Sequence, residues 1–185
     1  LLASSAASDV YKRQPLLSPM SEIAGQLAFV VGSNYLLKHN MGVGKLLGYS
    51  NELDSAIVTV VGAGAAGKQA ILKAVANGAH VKIIDLSLQK LTELESEFGS
   101  SNIEYIKSSP AAILAAVKQT DLLIGAVYVV GKTAPKVFSV DMIKSMKPGS
   151  VFVDISIDQG GCSETSKPTT HDKPIYLFED VVHYC

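Results

Sequence analysis

The sequence predicts an α/β fold built on a doubly wound parallel sheet and preceded by a long connecting helix. Three observations carry this reading. Apolar runs suited to buried strands alternate with cap-bounded or amphipathic helical segments from residue 57 to residue 157. The first run, Ile57-Val58-Thr59-Val60-Val61, passes directly into Gly62-Ala63-Gly64-Ala65-Ala66-Gly67. A lone acid, Asp85, closes the second run eighteen residues after Gly67. Strand, glycine turn, helix and a second strand ending in a carboxylate make a Rossmann-type unit.

The elements follow in order. Residues 1–14 are Ser/Ala-rich and place Lys12-Arg13 after the apolar part, the reverse of a signal peptide. They read as a disordered tail or as sequence foreign to the natural protein. Residues 15–50 read as a connecting helix and loop. Ser18 supplies a cap, Pro19 a first helical position and Glu22 a first-turn acid. Ile23, Leu27, Val31 and Tyr35 then form an apolar stripe, expected to pack between domains or subunits outside the nucleotide fold proper. Asn40-Met41-Gly42-Val43-Gly44 reads as a connection.

Residues 51–185 read as the sheet domain. A helix is expected over 64–78 with Gly78 as terminator, a strand over 80–85, a helix over 88–98 and a strand over 103–106. Ser109-Pro110 opens a helix to about 119, and 122–127 is a buried strand. Ser139 caps a helix ending near 146, Pro148-Gly149 stops it, and 151–157 is again a strand. Right-handed crossovers at this spacing require a parallel sheet covered on both faces. A ligand would then lie beyond Val61, Ile84, Ile106, Val127 and Ile157. The last residues, Val181 to Cys185, stop within an apolar run, so the domain reads as truncated there.

Each part of the glycine turn has its own physical reason. Gly62 permits the tight turn, Gly64 lets backbone approach a pyrophosphate, and Gly67 lets helix and sheet pack closely. The unpaired amides that open the helix face phosphate charge. Asp85 would accept bonds from a ribose 2′-hydroxyl and repel a 2′-phosphate, which favours NAD over NADP. The same stretch also spells GxxxxGK from Gly62 to Lys68, but Gln69 stands where a triphosphatase needs Ser or Thr for magnesium. Lys68 reads instead as a solvated first-turn side chain.

Composition excludes other classes. With 185 residues, 48% hydrophobic and 18% charged, the chain suits one well-buried domain. A net charge of −1 offers no broad attraction for nucleic acid or an anionic membrane, so neither is expected as a partner. The longest uncharged stretch, 55–67, is too short and glycine-rich to span a bilayer. Two cysteines, Cys162 and Cys185, make no disulfide framework, and a reducing cytoplasm is the simpler expectation. Neither they nor His171 and His183 match a zinc spacing, so no metal is expected. Ser166, His171 and Asp172 lack the GxSxG elbow of a hydrolase.

The most unusual segment runs from Asp154 to His171, with Asp158-Gln159-Gly160-Gly161 at its centre. It places an acid and an amide directly before a double glycine, where the chain can turn sharply beside a nicotinamide. Asp154 itself reads as the polar end of a strand. Here the chain resembles the alanine dehydrogenase family, on Ile157 to His171, on Leu16 to Gly25, on the fingerprint, and on Ile124 to Val127. The same holds for Met146 to Ser150 and for Val182-His183-Tyr184-Cys185. The resemblance implies NAD-dependent oxidation of L-alanine to pyruvate and ammonia by hydride transfer. It implies that Ser21, Ala65 and Ala66 contact phosphates, Asp85 and Lys90 the adenosine ribose region, and Ser108 the adenine side. It further implies that Val127, Tyr128, Ile155, Ser156, Ile157 and Asp158 line the nicotinamide half, with Lys167 on a phosphate or ribose and Asp158 in catalysis.

Two residues keep a simpler alternative: Lys90 on a solvated helix face, and Ser108 capping the turn before Pro110. The family's substrate-binding arginine and its catalytic lysine and histidine lie in an amino-terminal region with no counterpart here. Lys167 stands where the family usually has arginine, a point charge in place of a planar fork. The 185-residue chain is therefore expected to bind NAD without turning over alanine. The resemblance also implies a homo-oligomer, a hexamer. The related alternatives are the NAD-binding part of a proton-translocating transhydrogenase and a non-catalytic NAD-binding module.

Overall fold

A computed structural model of the chain describes residues 17–48, 55–129 and 132–185, and the expected tail at 1–14 lies outside them. The continuous apolar runs become strands β1 (Ile57–Val61), β2 (His80–Asp85), β3 (Ile103–Lys107), β4 (Leu122–Gly125) and β5 (Val151–Asp154). Two more follow, β6 (Ile175–Phe178) and β7 (Val181–Tyr184). They form one seven-stranded sheet in the order β3-β2-β1-β4-β5-β7-β6. The expected doubly wound architecture is present, with one departure. β7 pairs parallel to β5, but β6 is an antiparallel edge strand joined to β7 by a hairpin. The hairpin's two turn residues, Glu179 and Asp180, both adopt positive φ, 47° and 61°, the backbone of a type I′ turn. Neither is the glycine or asparagine that usually announces such a turn.

Side chains alternate between two cores, as the pleat demands. Val58, Val60, Val81, Ile83, Leu122 and Ile124 face one layer, where α1 (Leu17–Tyr35), α2 (Ala65–Ala76) and α3 (Leu88–Phe98) pack. Ile84, Leu123 and Phe152 face the other, under α4 (Pro110–Val117) and α5 (Val140–Lys144). Ser109 and Ser139 cap where expected, accepting from the amides of Ala112 and Met142, and Ser87 adds a cap on the Lys90 amide.

α1 differs from its sequence reading in three ways. It already includes Leu17, ahead of the expected first helical position at Pro19. Its residues buried within this chain are Gly25, Ala28, Phe29 and Gly32, a face beside the expected stripe. Ile23 and Leu27 are 57% and 54% exposed on this chain, while Val31 and Tyr35 are half-buried. Close approach explains the shift. A Cβ on Gly25 would collide with the Ala66 carbonyl, and one on Gly32 with the Leu122 side chain. The smallest residues therefore turn inward, and α1 closes one face of the sheet instead of standing outside the fold.

Two strands are shorter than expected. β4 stops at Gly125, and β5 stops at Asp154, after which Ile155–Gln159 winds into a 3-10 helix. At the opposite end of the sheet, buried Asp121 accepts from the Ile57 amide at 2.9 Å and pairs with Lys45 and Lys147 at 3.1 and 3.0 Å.

His183 in β7 is fully buried, stacked on Tyr176 with ring centroids 4.9 Å apart and edge-on to Phe152 at 5.3 Å. Its Nδ1 meets the Val181 carbonyl, an acceptor only, so Nδ1 carries the proton and Nε2 accepts from the Thr165 hydroxyl. Burial pushes its pKa down. Below about pH 6.5 the unfolded chain takes up a proton that the folded ring resists, so this stability is full above that pH and is lost as pH falls. Urea unfolding is expected to show stability falling from pH 6.5 toward 5, by at most about 1.4 kcal/mol per pH unit from this group. That slope disappears in His183→Gln, and a flat profile for the native chain contradicts the assignment.

Candidate functional site

The carboxyl ends of β1, β2 and β4 meet at the glycine turn. Gly62 adopts φ +98°, and a Cβ there would run into the Ala126 carbonyl. Its N–H donates to the Ile84 carbonyl at 2.8 Å, while the Ala126 N–H donates to the Val61 carbonyl at 2.8 Å. A Cβ on Gly67 would meet the Gly62 carbonyl oxygen. Gly64 is the exception, since no heavy atom lies within 4 Å of the Cβ it lacks. It borders a cleft of about 440 Å³ whose walls include Glu22, Ala63, Ala65, Lys68, Gln69, Lys90, Glu93 and Glu97. α2 opens there with no side-chain cap on its first amides, the arrangement that suits an anion. Lys68, its side chain exposed in the first turn of α2, pairs with Glu97 at 2.6 Å across the cleft.

Asp85 closes the other side of the turn. One carboxylate oxygen accepts from the Ala63 amide at 2.7 Å, and the other from the Ser87 amide at 2.7 Å. A carboxylate offers about four acceptor positions, so two remain for a ligand. The half-buried Ser108 is held beside it by its own N–H on the Asp85 carbonyl at 2.9 Å. Ser109, not Ser108, caps α4, which removes the capping alternative for Ser108. Lys90 is exposed in the first turn of α3 and lines the cleft. Ser21 is half-buried next to Glu22, on the stretch of α1 that Gly25 brings against Ala66.

The second half of the site lies at the ends of β4 and β5. Val127 is half-buried and Tyr128 exposed, and the Ser156 hydroxyl donates to the Val127 carbonyl at 2.7 Å. This bond joins the segment after β4 to the 3-10 turn that carries Ile155, Ser156, Ile157 and Asp158. The expectation of a strand through Ile157 fails because Asp154 accepts from the Ser156 amide at 2.9 Å and turns the chain out of the sheet. Asp158 is exposed, and Gln159 buries a side-chain oxygen that has no hydrogen-bond partner among the described residues. Lys167 is exposed at the side chain, while its N–H donates to the Tyr176 hydroxyl at 2.9 Å.

Four further residues shape this loop: Asp154, Cys162, Ser166 and Lys136. Asp154 is 2% exposed and accepts from Ser156, Cys162 and Ser166. Burial, then the neighbouring Asp154 charge, pushes the Cys162 thiol pKa well up, so it is a neutral donor rather than a nucleophile. The one signal in the sequence was an acid closing a fully apolar strand. Both cysteines are free thiols, and no cluster of three metal-ligating side chains occurs among the described residues.

Comparison with known proteins bears on this geometry. A sequence model of the family described as alanine dehydrogenase/PNT, C-terminal domain, matches residues 28–185. The chain belongs to this family. It is 45% identical over 192 residues to alanine dehydrogenase of Mycolicibacterium smegmatis, covering 100% of this chain and 52% of that protein. It is 46% identical over 171 residues to alanine dehydrogenase of Halomonas elongata, covering 92% and 46%. A solved L-alanine dehydrogenase superposes with a TM-score of 0.89 at 43% identity, covering 92% of this chain and 47% of that one. A transhydrogenase from Sinorhizobium meliloti shares the fold, with a TM-score of 0.77 at 24% identity. The chain thus spans about half the length of the alanine dehydrogenases it matches. Among the described residues, no helix of this family member is long and apolar enough to cross a membrane.

The two helix-start glycines should separate under substitution. Ala raises helix propensity by about 1 kcal/mol over Gly, yet Gly67→Ala is expected to lose about 1–3 kcal/mol because its methyl meets the Gly62 carbonyl. Gly64→Ala is expected to unfold at the native urea concentration, since its methyl enters open space. Equal losses in the two variants would contradict the geometry of the turn.

Proposed function

We propose that this chain binds NAD as the cofactor domain of an alanine dehydrogenase. The parent reaction converts L-alanine, NAD and water to pyruvate, ammonia and NADH. One observation carries the reading. The Asp85 carboxylate lies 2.7 Å from the Ala63 amide, so an acceptor for ribose hydroxyls stands directly beside the amides that suit a diphosphate. Gly64 leaves the space between them clear.

The roles divide along the sheet. Ala65 and Ala66 offer their amides to the diphosphate, with Ser21 adding a hydroxyl from α1. Asp85, Lys90 and Ser108 hold the adenosine half. Val127, Tyr128 and Ile155 to Ile157 line the nicotinamide half, and Lys167 offers its charge to a phosphate or ribose. When bound, NAD supplies the acceptor for the hydride leaving the alanine α-carbon. Asp158, exposed beside that half, orients the reacting group and helps remove its proton. Residues that select alanine belong to the remainder of the enzyme, for which the relatives have about twice this length.

The fit favours NAD over its 2′-phosphorylated form for an electrostatic reason. A carboxylate that accepts from a 2′-hydroxyl repels a phosphate in the same place. Calorimetric titration is expected to give tighter binding of NAD than of NADP to the native chain. Asp85→Asn is expected to weaken NAD about 10- to 100-fold, the worth of a hydrogen bond to a charged group. Equal or tighter binding of NADP would refute this assignment of Asp85.

A further inference from the structure

Asp154 occupies an unusual position for a carboxylate. It ends β5 at 2% exposure, and this chain alone fills its acceptor positions. Oδ1 accepts from the Ser156 amide at 2.9 Å and the Cys162 thiol at 3.2 Å. Oδ2 accepts from the Cys162 amide at 2.9 Å and the Ser166 hydroxyl at 2.5 Å. About four lone-pair positions are available, and four donors use them. No position is left for a substrate, so the group's work is done through the loop it holds.

That loop runs from Ile155 to Ser166 and carries Asp158. Gly161 folds back on the carboxylate with φ +76°, and a Cβ there would lie 2.9 Å from Oδ2. Lys136 closes the loop from outside, its ammonium donating to the carbonyls of Gly160 and Ser163 at 2.6 and 2.9 Å. The Val137 and Phe138 amides share the Cys162 carbonyl at 2.8 and 3.1 Å. One buried charge therefore fixes the start, middle and end of a segment that has little regular structure of its own.

We infer that Asp154 is a positioning residue for the nicotinamide half of the site, holding the Ile155–Gln159 turn so that Asp158 is presented in a preformed place. This rests on the NAD reading above. The adenosine half, built by Asp85 and the start of α2, does not depend on it. Loss of the Asp154 network should therefore be felt by NAD and not by ADP-ribose, which keeps the second ribose but lacks the nicotinamide ring that the Ile155–Gln159 turn would face.

The test measures both ligands on the native chain, Asp154→Asn and Ser166→Ala by calorimetry, with thermal unfolding alongside. The native chain is expected to bind NAD more tightly than ADP-ribose. Asp154→Asn should weaken NAD about tenfold or more, the worth of one hydrogen bond to a charged group, and change ADP-ribose less than about twofold. Ser166→Ala removes one donor of the four and should lose NAD affinity in the same direction, deciding the matter if the asparagine variant does not fold. Parallel loss of both ligands would make Asp154 a general fold element and overturn the inference. So would an unchanged preference for NAD in the variants, or no preference in the native chain. A native chain that binds neither ligand would remove the NAD reading itself.

Discussion

Backbone meets backbone at three points around the start of α2, and each contact is possible only because a side chain is missing. Gly67 lies against the Gly62 carbonyl, Gly62 against the Ala126 carbonyl, and Gly25 of α1 against the Ala66 carbonyl. These approaches set the depth at which α2 enters the sheet and the line along which α1 crosses it. They also leave Gly64 as the one glycine of the turn facing empty space. The close packing around the start of α2 and the open notch beside it are thus products of the same four glycines. A methyl group that stabilises an ordinary helix would here separate the elements that form the site.

Three carboxylates, Asp121 and Asp154 buried and Asp85 half-buried, do the remaining organisation, and they divide the molecule by position. Asp121, at the amino ends of the strands, is neutralised by Lys45 and Lys147 and pins that end shut. Asp85 and Asp154, at the carboxyl ends, are held by amides, hydroxyls and a thiol instead. Stabilising charge with amides rather than lysines has a consequence for chemistry. Each aspartate dictates the path of the loop that supplies its donors, because amide directions are fixed by the backbone. Asp85 shapes the glycine turn and keeps lone pairs free for the proposed ribose, whereas Asp154 uses all of its lone pairs on the loop carrying Asp158. One aspartate can bind, and the other can only position.

Most of the fold was legible because its signals are local. β1 and β2, α3, and the caps at Ser109 and Ser139 each follow from an apolar run or a capping residue in the place it occupies. What escaped depended on contacts distant in sequence. The buried face of α1 could not be read from periodicity, because glycine and alanine count as weak hydrophobes until a neighbouring backbone comes within reach. The hairpin of β6 and β7 turns through Glu179-Asp180, whose positive φ values no local preference announces. Within the candidate site, the meeting of the glycine turn with Asp85 was readable from the spacing of Gly62, Gly64, Gly67 and Asp85. The proposed nicotinamide half rests on the family resemblance, since its loop is shaped by Asp154, Cys162, Ser166 and Lys136 acting across as many as 27 residues.

The central claim is that the amides of one glycine turn and the carboxylate beside them form a nucleotide site. Amide chemical shifts of the isotope-labelled 185-residue chain, followed during titration with NAD, test it most directly. The largest and earliest changes should fall on Ala63, Ala65, Ala66 and Ser87, with a second set at Ser156 to Asp158 and little change at Asp121, Lys147 or the β6–β7 turn. Saturable shifts centred on that far end of the sheet, with the glycine turn silent, would contradict it.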